Sequence, residues 1–545
     1  MTTAIVNGSD PRSIFSSGPL YSSGLADFFN AAQLSGRGGF FREPEPEPEA
    51  PQDYFTSPEL LKIFAGQKTD KPVAVHMEST GLMWSLGIDH PRQAEPPNRH
   101  GMICTSILKG NADGQKESFY GYQLDADPYT HDTLARLASN PAIKLVTISS
   151  VKGINDDSYK AERLPAADRL IILAAAGNFG DDEQQSGVMR AAAPVHYAPG
   201  YLRVGEVDPD GIPSMHSNAD GPAFMCENPL TKHLNLAAQF YPSAQDLQNF
   251  QLKRDGDAYD VRDYARAFPT SNSQQAQSGM EGTSFSTPEA GRMIMHYTAG
   301  MDGIKNYDVI PAVLLAAQMA PPPQGPIGPY ASVAQVTNGA GLKFGTMRYG
   351  FGILKDDALD KMLKRVWEIR NSSAATKNGA LSDPQLLTPT IKVKPDFQAN
   401  EYSIAAANPG KQGTIVNTVL SLSFNKASGG KVPLEVELES PSGTRVSVPL
   451  IYKKRIGGSE AMVVTPAFFG EKKMEGEWKI SVPAQGMRLS GAGLTFETLQ
   501  AGSPGSKLVD EFKPVKADSP PQPRLRPPQL APAPRPRDSF GFGWN

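Results

Sequence analysis

The chain has 545 residues, too many for one ordinary hydrophobic core, and this length points to about two to four folded units. Hydrophobic residues at 39%, charged residues at 20% and a formal net charge of −4 describe a mildly acidic globular protein. That balance lacks the basic surplus of a nucleic-acid binder, and no apolar run reaches the roughly 20 residues that span a bilayer, so neither partner is expected. The opening MTTAIVNGSDPRSIF has no basic n-region and no apolar h-region, so a standard secretory signal is not expected; the chain reads as cytoplasmic or exported by another route.

Residues 1–52 are rich in Gly, Ser, Pro and Glu and end in the run Glu43-Pro44-Glu45-Pro46-Glu47-Pro48-Glu49, a composition that reads as a disordered arm. A helix is expected from Ser57, whose hydroxyl can cap the turn holding Pro58 and Glu59 ahead of Leu60, Leu61, Ile63 and Phe64. From about residue 70, short apolar runs alternate with helical segments: Val73–Val75, Ile103–Leu108, Thr133–Leu137, Leu145–Ile148 and Leu170–Ala176. Residues 53–370 are therefore expected as an α/β domain, a parallel sheet covered by helices on both faces with its site at strand carboxyl ends. Residues 371–389 read as a linker. Residues 390–500 carry period-two patterning, with Leu434, Val436 and Leu438 on one face before the turn Pro441-Ser442-Gly443, and are expected as a β-sandwich. Residues 501–545 are dense in proline, carry Arg524, Arg526, Arg535 and Arg537, and read as a disordered tail that serves as a spacer or binds a partner.

Two cysteines, Cys104 and Cys226, are too few for a disulfide framework and are expected as free, buried thiols. No Cys/His cluster has zinc-ligand spacing, so no metal site is expected from the residues.

Three strings carry chemistry. In Gly282-Thr283-Ser284-Phe285-Ser286-Thr287-Pro288, small residues precede a serine and a proline follows where a first helical turn tolerates it, which places Ser284 at a helix N-terminus. The bland alternative is a Ser/Thr loop capping an ordinary helix. In Ala174-Ala175-Ala176-Gly177-Asn178, an apolar strand runs into an asparagine that can project its amide from the strand's end, or that merely makes a turn. His100 leads Gly101-Met102-Ile103-Cys104-Thr105-Ser106, with His76 and His90 competing on composition.

Together, and in this chain order, the three strings resemble the histidine, oxyanion-asparagine and serine signatures of the subtilase family of serine peptidases. The resemblance implies a subtilisin-like α/β fold, Ser284 as nucleophile, His100 as base and Asn178 as oxyanion donor. It extends to Val146-Thr147-Ile148-Ser149-Ser150, which is similar to the strand edge that pairs with bound peptide, and makes Ser149, Ser150 and Gly177 candidates for substrate binding. Tyr349-Gly350-Phe351-Gly352-Ile353-Leu354 resembles the segment closing the catalytic domain. Leu438–Thr444, Phe469-Gly470-Glu471 and Gly476-Glu477-Trp478 resemble the P domain of kexin-type convertases, a jelly-roll sandwich.

Subtilases orient the histidine with an aspartate in a D-[ST]-G context, and this sequence departs from that pattern. After Val73-Ala74-Val75 it reads His76-Met77-Glu78-Ser79-Thr80-Gly81, so Glu78 is the expected acid and Asp89 the alternative. The resemblance implies hydrolysis of protein or peptide substrates through an acyl-enzyme, with no cofactor needed for the chemistry and a structural calcium as a family expectation. Asp181, Asp182 and Glu183 would favour basic substrate residues or form a solvated loop. The atypical acid, and an arm that does not read as a folded prodomain, keep open a catalytically silent scaffold that binds partners. An esterase is a weaker rival because no G-x-S-x-G elbow surrounds Ser284.

Overall fold

The run Val73-Ala74-Val75-His76-Met77-Glu78 forms β1 (Val73–Glu78), buried along its whole length, as a parallel strand covered on both faces must be. It lies between β2 (Tyr120–Asp125) and β3 (Ile143–Ile148), and the sheet continues through β4 (Ile171–Ala175), β5 (Tyr201–Val207) and β6 (Phe224–Glu227). The order is β2-β1-β3-β4-β5-β6, every pairing parallel. Strand order reverses at β1, so the crevice beyond the carboxyl ends of β1 and β3 is where such a sheet accommodates a site.

The computed structural model describes residues 56–78, 99–112, 118–125, 131–149, 170–178, 201–207, 211, 213–214, 217, 222–230, 253–255, 258–259, 282–322, 325–327, 330–333, 335–345, 349–372, 385–387, 390–395, 399–406, 413–426, 435–452, 460–483 and 487–512. The expected arm, the tail beyond 512, Asp89, Ser150 and Asp181–Glu183 lie outside them. Among the described residues no helix is long and apolar enough to cross a membrane.

Helices α1 (Pro58–Phe64), α2 (Arg99–Lys109), α3 (His131–Ser139), α4 (Thr283–Thr298), α5 (Asn306–Ala317) and α6 (Asp356–Asn371) accompany the sheet. Ser57 stands at the start of α1 but does not cap it with its side chain. Its Oγ instead accepts from Gln123 N at 3.0 Å, because that hydroxyl ties the helix to β2, while Ser57 O takes the amides of Leu60 and Leu61. Helix α4 crosses β3, β4, β5 and β6 and packs on α2. It comes closest at Gly291, where a Cβ would lie 2.8 Å from Thr147 Cγ2 and 3.1 Å from both Leu108 Cδ1 and Leu145 Cδ2. Tyr349–Leu354 runs beside β6: Phe351 N donates to Ala223 O at 2.9 Å and Leu354 N to Met225 O at 2.8 Å. Gly350, at φ 57°, would carry a Cβ only 2.3 Å from Ala223 O, so a side chain there is excluded.

The C-terminal region forms two antiparallel five-stranded sheets. One contains β7 (Gln385–Leu387), β10 (Gly413–Lys426), β13 (Ile451–Tyr452), β14 (Glu460–Thr465) and β16 (Met487–Gln500), in the order β7-β16-β10-β14-β13. The other, ordered β8-β9-β15-β11-β12, contains β8 (Thr390–Pro395), β9 (Ala399–Ala406), β11 (Glu435–Glu439), β12 (Arg445–Pro449) and β15 (Gly476–Pro483). The sheets close on Trp478 of β15, fully buried, whose ring centroid lies 4.9 Å from Phe468 and 5.2 Å from Phe496 of β16. Two expectations change here. Gln385–Leu387 falls in the stretch read as linker yet pairs at the edge of the first sheet. The stretch read as disordered tail begins with a helix, α7 (Pro504–Glu511), because Ser503 caps it by accepting from Ser506 N and Leu508 and Val509 are buried.

Residues Asp53–Pro514 form one unit, and buried polar contacts join its two parts. Asn338 Nδ2 donates to Ala467 O at 3.0 Å and Phe469 O at 2.8 Å. The Glu471 carboxylate accepts from Gly339 N, Ser440 Oγ and Thr444 Oγ1. The strings Leu438–Thr444 and Phe469–Glu471 therefore build the docking turn.

Candidate active site

Successive strand residues face opposite sides, so His76 and Glu78 share one face of β1. Glu78 is fully buried at the strand's carboxyl end, and its Oε1 lies 2.8 Å from Nδ1 of His100 in the first turn of α2. Glu78, the expected acid, is thus placed against His100, and the alternative, Asp89, lies outside the described residues. The other carboxylate oxygen, Oε2, lies 3.4 Å from His76 Nε2, and His76 Nδ1 lies 3.0 Å from Thr147 Oγ1 on β3.

These groups shift one another strongly. Burial raises the Glu78 carboxyl, but His100 and then His76 outweigh it and hold the group at about 2. Burial disfavours the His100 imidazolium, yet the Glu78 carboxylate and then the Cys104 sulfur raise the ring well above an ordinary histidine. His76 is pushed up to about 9, with burial outweighed by Cys104 and Glu78, and Cys104 is drawn down to about 7, with burial outweighed by His100 and His76. Cys104 and Cys226 are both free and buried, and burial pushes Cys226 up.

Ser284 is the second residue of α4. Before it, Gly282 takes a φ of 152° and donates its N–H to Glu206 Oε1 at 3.0 Å, an oxygen that also accepts from Asn228 Nδ2 at 2.6 Å. Thr283 N and Thr283 Oγ1 both donate to Asn178 Oδ1, at 2.8 and 2.9 Å, and Gly177 N donates to Thr283 Oγ1 at 3.0 Å. A backbone N–H at Oδ1 fixes the orientation of the Asn178 amide and leaves its Nδ2 as the donating end. Asn178 is exposed, whereas Gly177 is buried with its N–H committed to Thr283.

Pro288 stands four residues beyond Ser284 in α4 and has no N–H to offer the Ser284 carbonyl. That oxygen is bonded from outside the helix instead, by Ser149 Oγ at 2.8 Å and Cys104 Sγ at 3.3 Å. The Ser284 hydroxyl donates to Ser149 O at 3.1 Å. His100 reaches the same turn through its ring, 5.6 Å from that of Phe285, and among the described residues no hydrogen bond joins it to Ser284 Oγ. The expected peptide-pairing edge needs correcting: Val146–Ile148 pair with β1 on one side and β4 on the other, so their backbone is committed to the sheet. Ser149 lies just past that ladder.

Sequence reasoning missed the roles of His76, Thr147, Glu206 and Cys104. Strand alternation put His76 on the face of Glu78, and the Ser284–Pro288 spacing announced a carbonyl in need of an outside donor. Among the described residues no group of three or more His, Cys, Asp or Glu could hold a metal ion.

No family model and no curated protein matches the chain. Solved structures do. The serine protease of Aeromonas sobria aligns with a TM-score of 0.50 and 14% identity over 79% of this chain and 88% of that one. The complex of the Aeromonas sobria serine protease with the chaperone ORF2 gives a TM-score of 0.50 and 15% identity over the same shares. At such identities the likeness is one of fold. The chain has the subtilisin-like fold of that serine protease, a parallel α/β sheet carrying helices and followed by antiparallel sheets.

Proposed function

We propose that the chain is a serine endopeptidase of the subtilase type, with a C-terminal sandwich of the P-domain kind. The observation that carries this reading is the 2.8 Å contact between Glu78 Oε1 and His100 Nδ1, because it fixes the tautomer in which Nε2 is free to accept a proton. Ser284 Oγ turns from Ser149 O toward His100 Nε2 and attacks the substrate carbonyl as the ring takes its proton. The negative charge gathers on the carbonyl oxygen, where Asn178 Nδ2 and the Ser284 N–H, at the positive end of α4, donate to it. His100, now protonated beside the Glu78 carboxylate, gives its proton to the leaving amine, and water repeats the sequence to release the acyl group. Glu78 replaces the aspartate of the family pattern with one extra methylene.

A fluorophosphonate probe tests the reading. Folded wild-type protein is expected to label covalently, and Ser284→Ala is expected to abolish labelling while the circular dichroism spectrum and melting temperature are retained. The bond from Ser284 Oγ to Ser149 O supports a second reading, a catalytically silent scaffold; folded wild-type protein that never labels would establish it over the first.

A further inference from the structure

We propose that His76 is a positioning residue that clamps the second oxygen of Glu78, an inference that rests on the peptidase reading above. A glutamate has one more rotatable bond than the aspartate it replaces, so a single contact to His100 leaves its carboxylate free to swing. The structure supplies a second anchor. Oε1 meets His100 at 2.8 Å and Oε2 meets His76 Nε2 at 3.4 Å, and His76 and Glu78 are both fully buried. His76 is anchored in turn by Thr147 Oγ1 at 3.0 Å, and Thr147 is its register partner across β1 and β3. The chain Thr147–His76–Glu78–His100 therefore runs from the interior of the sheet to the catalytic base, its first two links set by strand register and alternation and its last by the packing of α2 on β1.

The clamp survives titration of its own ring. With His76 neutral, Nε2–H donates to Glu78, which can only accept, and Nδ1 accepts the threonine hydroxyl. With His76 protonated, Nε2–H still donates to Glu78 and Nδ1–H donates to the hydroxyl oxygen, since a hydroxyl serves as donor or acceptor. Both states hold the carboxylate in one place.

Two variants separate this role from simple packing. In His76→Gln, the amide nitrogen stands where Nε2 stood and keeps the bond to Glu78; in His76→Phe, ring bulk remains without a donor. Fluorophosphonate labelling and kcat on a peptide are expected to fall about 10- to 100-fold in His76→Phe with KM unchanged, and to stay within about threefold of wild type in His76→Gln. Labelling by His76→Phe at the wild-type rate, or an equal loss in both variants, overturns the proposal. Should the phenylalanine variant not fold, His76→Asn, whose shorter amide mimics Nδ1 and not Nε2, takes its place. Proton NMR of the His100 Nδ1–H decides independently of activity: its downfield resonance is expected in wild type and His76→Gln and lost in His76→Phe, and its persistence there overturns the clamp. Wild-type protein that shows this NMR difference yet never labels sinks the peptidase reading alone.

Discussion

Glu78 and His100, 22 residues apart and on different elements, meet at 2.8 Å with the carboxylate fully buried and the imidazole ring 18% exposed. The carboxylate lies far below its ordinary range and the imidazole above its own, so the pair prefers the charged state in which His100 is a poor base. The base must be neutral to act, so kcat/KM is expected to rise with pH along the His100 titration, at a midpoint above an ordinary histidine's. Glu78→Gln removes the charge that stabilises the imidazolium. The midpoint is then expected to move to lower pH, while kcat falls by about 10³- to 10⁴-fold because the tautomer is no longer held. A pH profile of both proteins checks this, and a midpoint that stays or rises in the variant contradicts it.

Under the proposed mechanism Asn178 has two jobs that substitutions can separate. Its Oδ1 accepts the Thr283 N–H, and its Nδ2 is the end left for the oxyanion. Asn178→Asp keeps an acceptor for Thr283 and loses the donor, so kcat is expected to fall about 10²- to 10³-fold with little change in melting temperature. Asn178→Ala loses both and is expected to cost in addition about 1–3 kcal/mol of stability, read by urea unfolding. Equal stability of the two variants would show that the Thr283 contact carries no weight.

Gly291 sets the distance between α4 and the sheet. A methyl group there must push aside Thr147 Cγ2, and the alternatives, Leu108 and Leu145, are core residues at 3.1 Å. Gly291→Ala is expected to cost about 1–3 kcal/mol of stability by overpacking and to lower kcat, since the shifted helix carries Ser284 and the displaced threonine holds His76. A variant as stable and as active as wild type would show that α4 can slide freely.

The sheet was readable from sequence because its strands are short apolar runs between turn residues, and Gly-Thr-Ser before a proline announced the start of α4. Glu78 was legible as the expected acid from its place after Val73-Ala74-Val75, but its 2.8 Å approach to His100 was not, because β1 and α2 meet only in the folded chain. Helix α7 was hidden in proline-rich composition; Ser503 and Pro504 form a cap and a first turn, signals that averaging over residues 501–545 erases. Ser57 misled in the opposite way, being a good cap by type whose hydroxyl serves β2 instead. For Ser57 the local preference was overridden by a neighbour distant in sequence, whereas for α7 the local signal was present and masked by composition.

Pro288 has one more effect. Because it deprives the Ser284 carbonyl of an intrahelical partner, the main chain at the serine is fastened by Ser149 beyond β3 and Cys104 of α2. The first turn of α4 is therefore held by side chains from two elements outside its own helix. The place of Ser284 is thus set as much by β3's end and α2 as by the helix that carries it.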